Sequence, residues 1–151
     1  MNDIFYMRQA LVEAKKAANK NEVPVGAVIV KDNKIISAGY NQVIELSDPT
    51  AHAEVVAIRK AAKKIRNYRL LDCHLFVTLE PCLMCAGSII NSRLSTITFA
   101  SYDVKTGVTH SNLKVFENKS LNHHTIVKGG VLDDESANLL KKFFLDRRKV
   151  K

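Results

Sequence analysis

Two short runs of this chain carry groups that could do chemistry together: His52-Ala53-Glu54 and, further along, Glu80-Pro81-Cys82-Leu83-Met84-Cys85. An imidazole nitrogen and two thiolate sulfurs are donors that zinc takes in a tetrahedral set. Three protein ligands leave a fourth position for water, as in catalytic rather than structural sites. His52, Cys82 and Cys85 are therefore the candidate ligands of one Zn2+ per chain. Cys73, the remaining cysteine, begins a strand-like run and reads as a buried thiol. Glu54 lies two residues from His52, a separation that does not share a face within a helix. It reads as the group that takes and delivers protons at the water, not as a ligand.

Those side chains need elements to hold them. Cys82 and Cys85 are three apart, so in the first turn of a helix their thiols share a face, and the positive end of that helix favours thiolates. Pro81 suits the first helical position, where its missing N–H costs nothing. Leu83, Met84, Ala86, Ile89 and Ile90 then supply the buried side. His52 follows the cap-forming residues Asp48 and Thr50 and precedes the helical pattern Val55, Val56, Ile58, Ala62, Ile65. Each part alone has a plainer reading: two such cysteines also make a redox pair or half of a structural zinc site, and a lone histidine is commonly structural. Joined to His-x-Glu at a helix start, they match the known signature of zinc-dependent nucleobase deaminases.

At 151 residues and 46% hydrophobic, the chain is the size of one domain with a real core. It shows no linker, repeat or low-complexity block, so residues 1–151 are expected to form a single zinc-dependent domain. No stretch approaches the roughly 18 apolar residues of a membrane span, and the first residues lack the pattern of a signal peptide. With three cysteines, two of them claimed by metal, a reducing compartment is expected, hence the cytoplasm. A formal charge of +8 points to a polyanionic partner, or to nothing more than a soluble, self-repelling surface.

Residues 3 to 20 place Ile4, Met7, Leu11 and Ala18 at helical spacing, with Lys15, Lys16 and Lys20 on the other side. Strands at 25–30 and 35–40 flank the turn Lys31-Asp32-Asn33-Lys34. The His52 helix follows, then a strand at 73–79, the Cys82 helix, a strand at 96–101 and a polar loop to about Leu121. A short strand at 125–127 and a helix from Asp133 complete the pattern. Strands alternating with helices imply an α/β fold whose sheet is covered on both faces. His123 and His124 lie far from ligand spacing and read as surface or strand residues.

The chain resembles the bacterial tRNA-specific adenosine deaminases of the cytidine-deaminase-like superfamily. The resemblance rests on Pro24-Val25-Gly26-Ala27-Val28-Ile29-Val30, Asn41, His52-Ala53-Glu54, Asn67-Tyr68-Arg69-Leu70, Val77-Thr78-Leu79-Glu80-Pro81-Cys82, Met84-Cys85-Ala86-Gly87 and Asp103-Val104-Lys105-Thr106-Gly107, and covers nearly the whole length. One departure follows that last run, where Val108-Thr109-His110-Ser111 replaces the family's small residues and further glycine. The resemblance implies a three-layer α/β/α fold with a five-stranded mixed sheet. It implies a homodimer through the helical layer, and hydrolytic conversion of a tRNA wobble adenosine to inosine.

By resemblance Asn41 reads the base from its N7 side, with a turn residue ending the second strand as the alternative. Amide groups near Ala53 would hold the developing oxygen. Asp103 and Lys105 would grip neighbouring nucleotides of the anticodon stem-loop, or simply form an Asp-x-Lys-x-Gly turn. Phe144 would stack on a base and Arg147 and Arg148 contact phosphate. Equally, Leu139, Leu140, Phe143 and Phe144 read as a core stripe and the arginines as a helix-end charge cluster. Two rival functions use the same residues: a free-base or nucleoside deaminase, and a non-catalytic zinc-stabilised RNA-binding subunit. The second has no use for Glu54.

Overall fold

The computed structural model describes residues 1–149. Its elements are α1 (Asp3–Asn19), β1 (Gly26–Lys31), β2 (Lys34–Tyr40), α2 (Ala53–Ile65), β3 (Cys73–Leu79), α3 (Leu83–Asn91), β4 (Thr96–Ser101), β5 (Ile126–Lys128) and α4 (Asp133–Lys149), with a one-turn 3-10 helix at Val115–Glu117. The first of these is capped by Asn2, whose side chain accepts a hydrogen bond from the Phe5 amide. Between β1 and β2 the chain reverses on Asp32 and Asn33, both at positive φ (50° and 61°), the turn chemistry a tight hairpin needs.

The five strands form one mixed sheet in the order β2-β1-β3-β4-β5. β1 is antiparallel to β2 and β3, while β3–β4 and β4–β5 are parallel. Because side chains alternate across a strand, β1 contributes to two cores. Ala27 and Ile29 meet Ala53, Ala57 and Ala61 of α2 and Ile89 of α3. Val28 and Val30 meet Tyr6, Met7 and Ala10 of α1 on the opposite face, with Val131 and Leu132 just before α4. The result is the three-layer α/β/α arrangement, and it explains why β1 reads as a continuous apolar run. Gly26 is required where α1 crosses β1, because a Cβ there would strike the Ala10 carbonyl and the Ala14 amide.

Register brings the chemistry to one end of this sheet. Gly26 pairs with Tyr40, Ala27 with Val77 and Leu79 with Ser101, so the segments leaving β2, β3 and β4 emerge together. They carry Asn41, Glu80 to Cys82, and Asp103, at the strand ends where open α/β sheets bind ligands. On the other face Ser136 Oγ donates to the Thr78 carbonyl at 2.6 Å, fastening α4 to β3.

Four local expectations are corrected. Neither Asp48 nor Thr50 caps α2: the cap position is His52 itself, and Asp48 Oδ1 instead accepts from the Thr50 amide and hydroxyl. Pro81 precedes the cap of α3 rather than occupying its first turn, because Cys82 holds the extended cap conformation. Leu83 is 57% exposed, since it points away from the face that Cys85, Ala86, Ile89 and Ile90 bury. The last strand starts one residue later than the sequence pattern suggests, and His123 and His124 lie before it; the His123 ring donates to the Leu94 carbonyl at 2.7 Å.

Candidate metal centre and base pocket

The first residues of α2 and α3 build the centre. His52 (φ −73°, ψ 155°) and Cys82 (φ −79°, ψ 176°) are the N-cap residues of these helices, and neither uses its side chain as a cap. An extended cap residue directs its side chain away from the helix, and Cys85 comes round one turn later beneath it. His52 Nδ1 lies 3.6 Å from Cys82 Sγ and 3.5 Å from Cys85 Sγ. The three donor atoms fall within 4.8 Å of one another. A tetrahedral zinc with its usual bond lengths would set sulfur-to-nitrogen separations of roughly 3.5 Å. The spacing and donor chemistry therefore fit zinc, with Nδ1 as the histidine donor.

Electrostatics agrees. A hydrogen bond from the Cys85 thiol, helped by His52, holds Cys82 at about 4, in the thiolate form that a metal requires. The same contact, together with burial, pushes the Cys85 thiol up. One charge is thus shared between two sulfurs, and a divalent cation would displace the second proton. The Cys82 contact also raises His52. Glu54, 4% exposed at the second position of α2, is pushed up to about 7 by burial. A carboxyl of that kind can both take and give a proton near neutral pH.

These groups open into a pocket of about 340 Å³ lined by Asn41, His52, Glu54, Cys82, Asp103 and Thr106, with Val25, Val43, Ile44 and Leu79 as its apolar wall. Asn41 Oδ1 accepts from the Ala53 amide at 2.8 Å. That bond caps the first turn of α2 from outside and orients the Asn41 NH2, which has no partner among the described residues. The Ala53 N–H is thereby engaged by Asn41.

Asp103 lines the pocket, but its carboxylate is turned inward on its own loop. It accepts from the Lys105 and Thr106 amides and the Thr106 hydroxyl.

A second depression, about 560 Å³, runs alongside between that loop and α4, lined by Lys105, Leu140, Lys141, Phe144, Leu145 and Arg148. Lys105, Phe144 and Arg148 are therefore brought together as a basic groove with an aromatic face. Arg147 is not in it: its guanidinium lies 5.2 Å from the Phe143 ring centre. Of the core-stripe alternative, Leu140 packs against the core, Leu139 and Phe143 are half-buried, and Phe144 is exposed.

Two acidic residues escaped the sequence reading. Glu22, 2% exposed, accepts from the Ile44 and Glu45 amides and so shapes the pocket's apolar rim. Glu80, also 2% exposed, receives the loop from Asp103 to Ser111. Burial would raise its pKa, but bonds from Ser111, His110 and Asp103 outweigh that and hold it at about 2. The one sequence signal for Glu80 is its place at the end of an apolar strand directly before Pro81.

The chain matches the family described as the cytidine and deoxycytidylate deaminase zinc-binding region over residues 1–101. It is 49% identical over 146 residues to the tRNA-specific adenosine deaminase of Haemophilus influenzae, covering 96% of this chain and 84% of that protein. A solved structure from work on A-to-I editing by tRNA:A34 deaminases at the wobble position of transfer RNA superposes with a TM-score of 0.88. It is 40% identical and covers 90% of this chain and 99% of its own. The guanine deaminase of Bacillus subtilis is 44% identical with a TM-score of 0.65, covering 68% and 66%.

Proposed function

Since this chain belongs to the zinc-binding cytidine and deoxycytidylate deaminase family, we propose that residues 1–151 act as one zinc-dependent domain that deaminates the wobble adenosine of a tRNA anticodon loop to inosine. The observation that carries the reading is the His52, Cys82 and Cys85 cluster with Glu54 beside it in a pocket of nucleoside size. His52 Nδ1 and the two sulfurs hold the metal, which when bound supplies Lewis acidity and an activated water at neutral pH. Glu54 takes the proton of the attacking water and delivers it to N1 of adenine, making C6 electrophilic. After the water oxygen has bonded to C6, Glu54 takes the remaining hydroxyl proton and passes it to the exocyclic amine, so that the C6–N bond breaks, ammonia leaves and the C6 carbonyl of inosine remains. Asn41, held by Ala53, presents its NH2 to the N7 edge.

Adenine must leave its stack to enter the pocket, at a cost of a few kcal/mol that is smallest for an unpaired base. An anticodon loop offers such bases, and the basic groove beside the pocket can receive their neighbours. An anticodon stem-loop with adenosine first in the anticodon is therefore expected to be converted, while the same strand annealed into a full duplex is not. Inosine mapping on both RNAs checks this. Equal rates, or cytidine conversion with adenosine untouched, would favour a general nucleobase deaminase.

In the groove, Arg148 and Lys105 contact phosphate and Phe144 stacks on a base. Arg148→Ala is expected to reduce the log–log salt slope of RNA binding by about 0.7, the contribution of one single-strand-like contact. Arg147→Ala should change that slope little, because its guanidinium rests on Phe143. An unchanged slope for Arg148→Ala would return that residue to the helix-end charge cluster.

The protein is proposed to be a cytoplasmic homodimer through the α2 and α3 layer, where Leu83 offers an exposed apolar contact. Among the described residues no helix is long and apolar enough to cross a membrane. A monomer mass in sedimentation analysis, or recovery of the protein with membranes after cell fractionation, would count against these assignments.

A further inference from the structure

One side chain accepts six hydrogen bonds from the loop between β4 and the 3-10 helix. Glu80 Oε1 accepts from the Asp103 amide (3.0 Å) and the Ser111 hydroxyl (2.5 Å). Its Oε2 accepts from the Thr109 amide and hydroxyl (both 3.0 Å), the His110 amide (2.9 Å) and the Ser111 amide (3.0 Å). The Val108 amide donates to the Pro81 carbonyl, adding a fastening one residue further along. At Gly107 a Cβ would run into the Glu80 carboxyl group and the Asp103 carbonyl, so the chain passes the carboxylate without room for a side chain. His110 closes the arrangement by packing its ring edge-on against Phe99 and Tyr102.

This loop faces both sides of the substrate region. Asp103 and Thr106 line the base pocket, whereas Lys105 lines the basic groove. Glu80 also stands two residues before Cys82, directly after the last residue of β3. A buried carboxylate satisfied by six donors forms a network whose geometry is sharply specified.

We propose that Glu80 is a positioning residue for the RNA substrate, holding residues 103–111 as the wall between base pocket and groove at a set distance from the metal-binding helix. Glu80 borders the base pocket, but both oxygens of its carboxylate are taken up by the loop, so its part is to position and not to react. The Thr109, His110 and Ser111 run supplies the amides and hydroxyls that the carboxylate needs. The departure from the family's small residues is thereby accommodated as a set of ligands for Glu80. The inference rests on the deaminase reading above and deepens it.

The test is Glu80→Gln, which places an amide NH2 against donors and cannot accept all six bonds. We expect zinc content to stay at the wild-type level, KM for an anticodon stem-loop to rise at least tenfold, and kcat to change less than threefold. Hydrogen exchange at the Asp103, Thr109, His110 and Ser111 amides should accelerate at least tenfold. Ser111→Ala, which keeps the carboxylate and removes one donor, should shift KM in the same direction by less, and it carries the test should Glu80→Gln not fold. Unchanged KM with accelerated exchange would overturn the proposal, as would unchanged exchange. Loss of zinc would also overturn it, by showing that Glu80 serves the metal helix instead. A wild-type protein inactive on the stem-loop would sink the reaction itself, and exchange and metal content would still decide the hold of Glu80 on the loop.

Discussion

Glu54→Ala is expected to lower kcat by roughly 10²- to 10⁴-fold, the range of a general acid–base group, while zinc stays bound at the wild-type level. The expectation follows from where the carboxyl lies. It is buried at the second position of α2, and its pKa is pushed up to about 7 by that burial. The cluster that fits zinc is complete without it. The fold should tolerate the change, because truncation removes a desolvated acid rather than a salt-bridge partner. Metal analysis beside single-turnover kinetics decides the matter: a zinc-free Glu54→Ala protein would make the residue a ligand, and full activity would remove the proton carrier from the mechanism.

Cys82→Ser and Cys85→Ser should each lose the metal, and with it all measurable deamination. Hydroxyl oxygen is a poor replacement for thiolate, and among the described residues the site has three protein donors, so one loss leaves too few to hold zinc. Ligand binding stabilises the folded state by mass action, about 2.7 kcal/mol at a hundredfold excess over Kd. The variants should therefore melt roughly 5 to 10 °C below the zinc-loaded protein. Wild-type protein stripped with a chelator should melt with them. Cys73→Ala is the control, since its sulfur lies buried within the core at the start of β3. Zinc loss in that variant would mean that the ligand set is wrongly chosen, and zinc retention in Cys85→Ser would mean the same.

Much of the positioning was legible in the chain because it depends on neighbours in sequence. β3 and β4 occupy 73–79 and 96–101 as the sequence pattern predicts, β3 through the apolar stretch Leu75-Phe76-Val77 and β4 through the alternation of Thr96, Ile97, Thr98 and Phe99. The ligand spacing was equally legible, because one turn of helix relates Cys82 to Cys85 wherever that helix lies. Cap positions were misread at Asp48, Thr50 and Pro81. Capping preferences are set by side-chain hydrogen bonds, and here His52 and Cys82 occupy the caps without making any.

Tertiary structure alone decided what is distant in sequence. A buried glutamate and a surface one look alike in a chain, so Glu22 and Glu80 became visible only when folding brought amides 22 to 31 residues away onto their carboxylates. The same holds for Ala53, whose N–H is engaged by Asn41 across the end of β2. Arg147 and Arg148 are chemically equivalent neighbours, yet the turn of α4 puts one on Phe143 and the other in the groove. The chemistry at the metal is thus written in local motifs, whose spacing the backbone itself enforces. The shape that admits a particular nucleic acid depends on packing and on long-range hydrogen bonds, which exist only once the sheet has brought the ends of β2, β3 and β4 together.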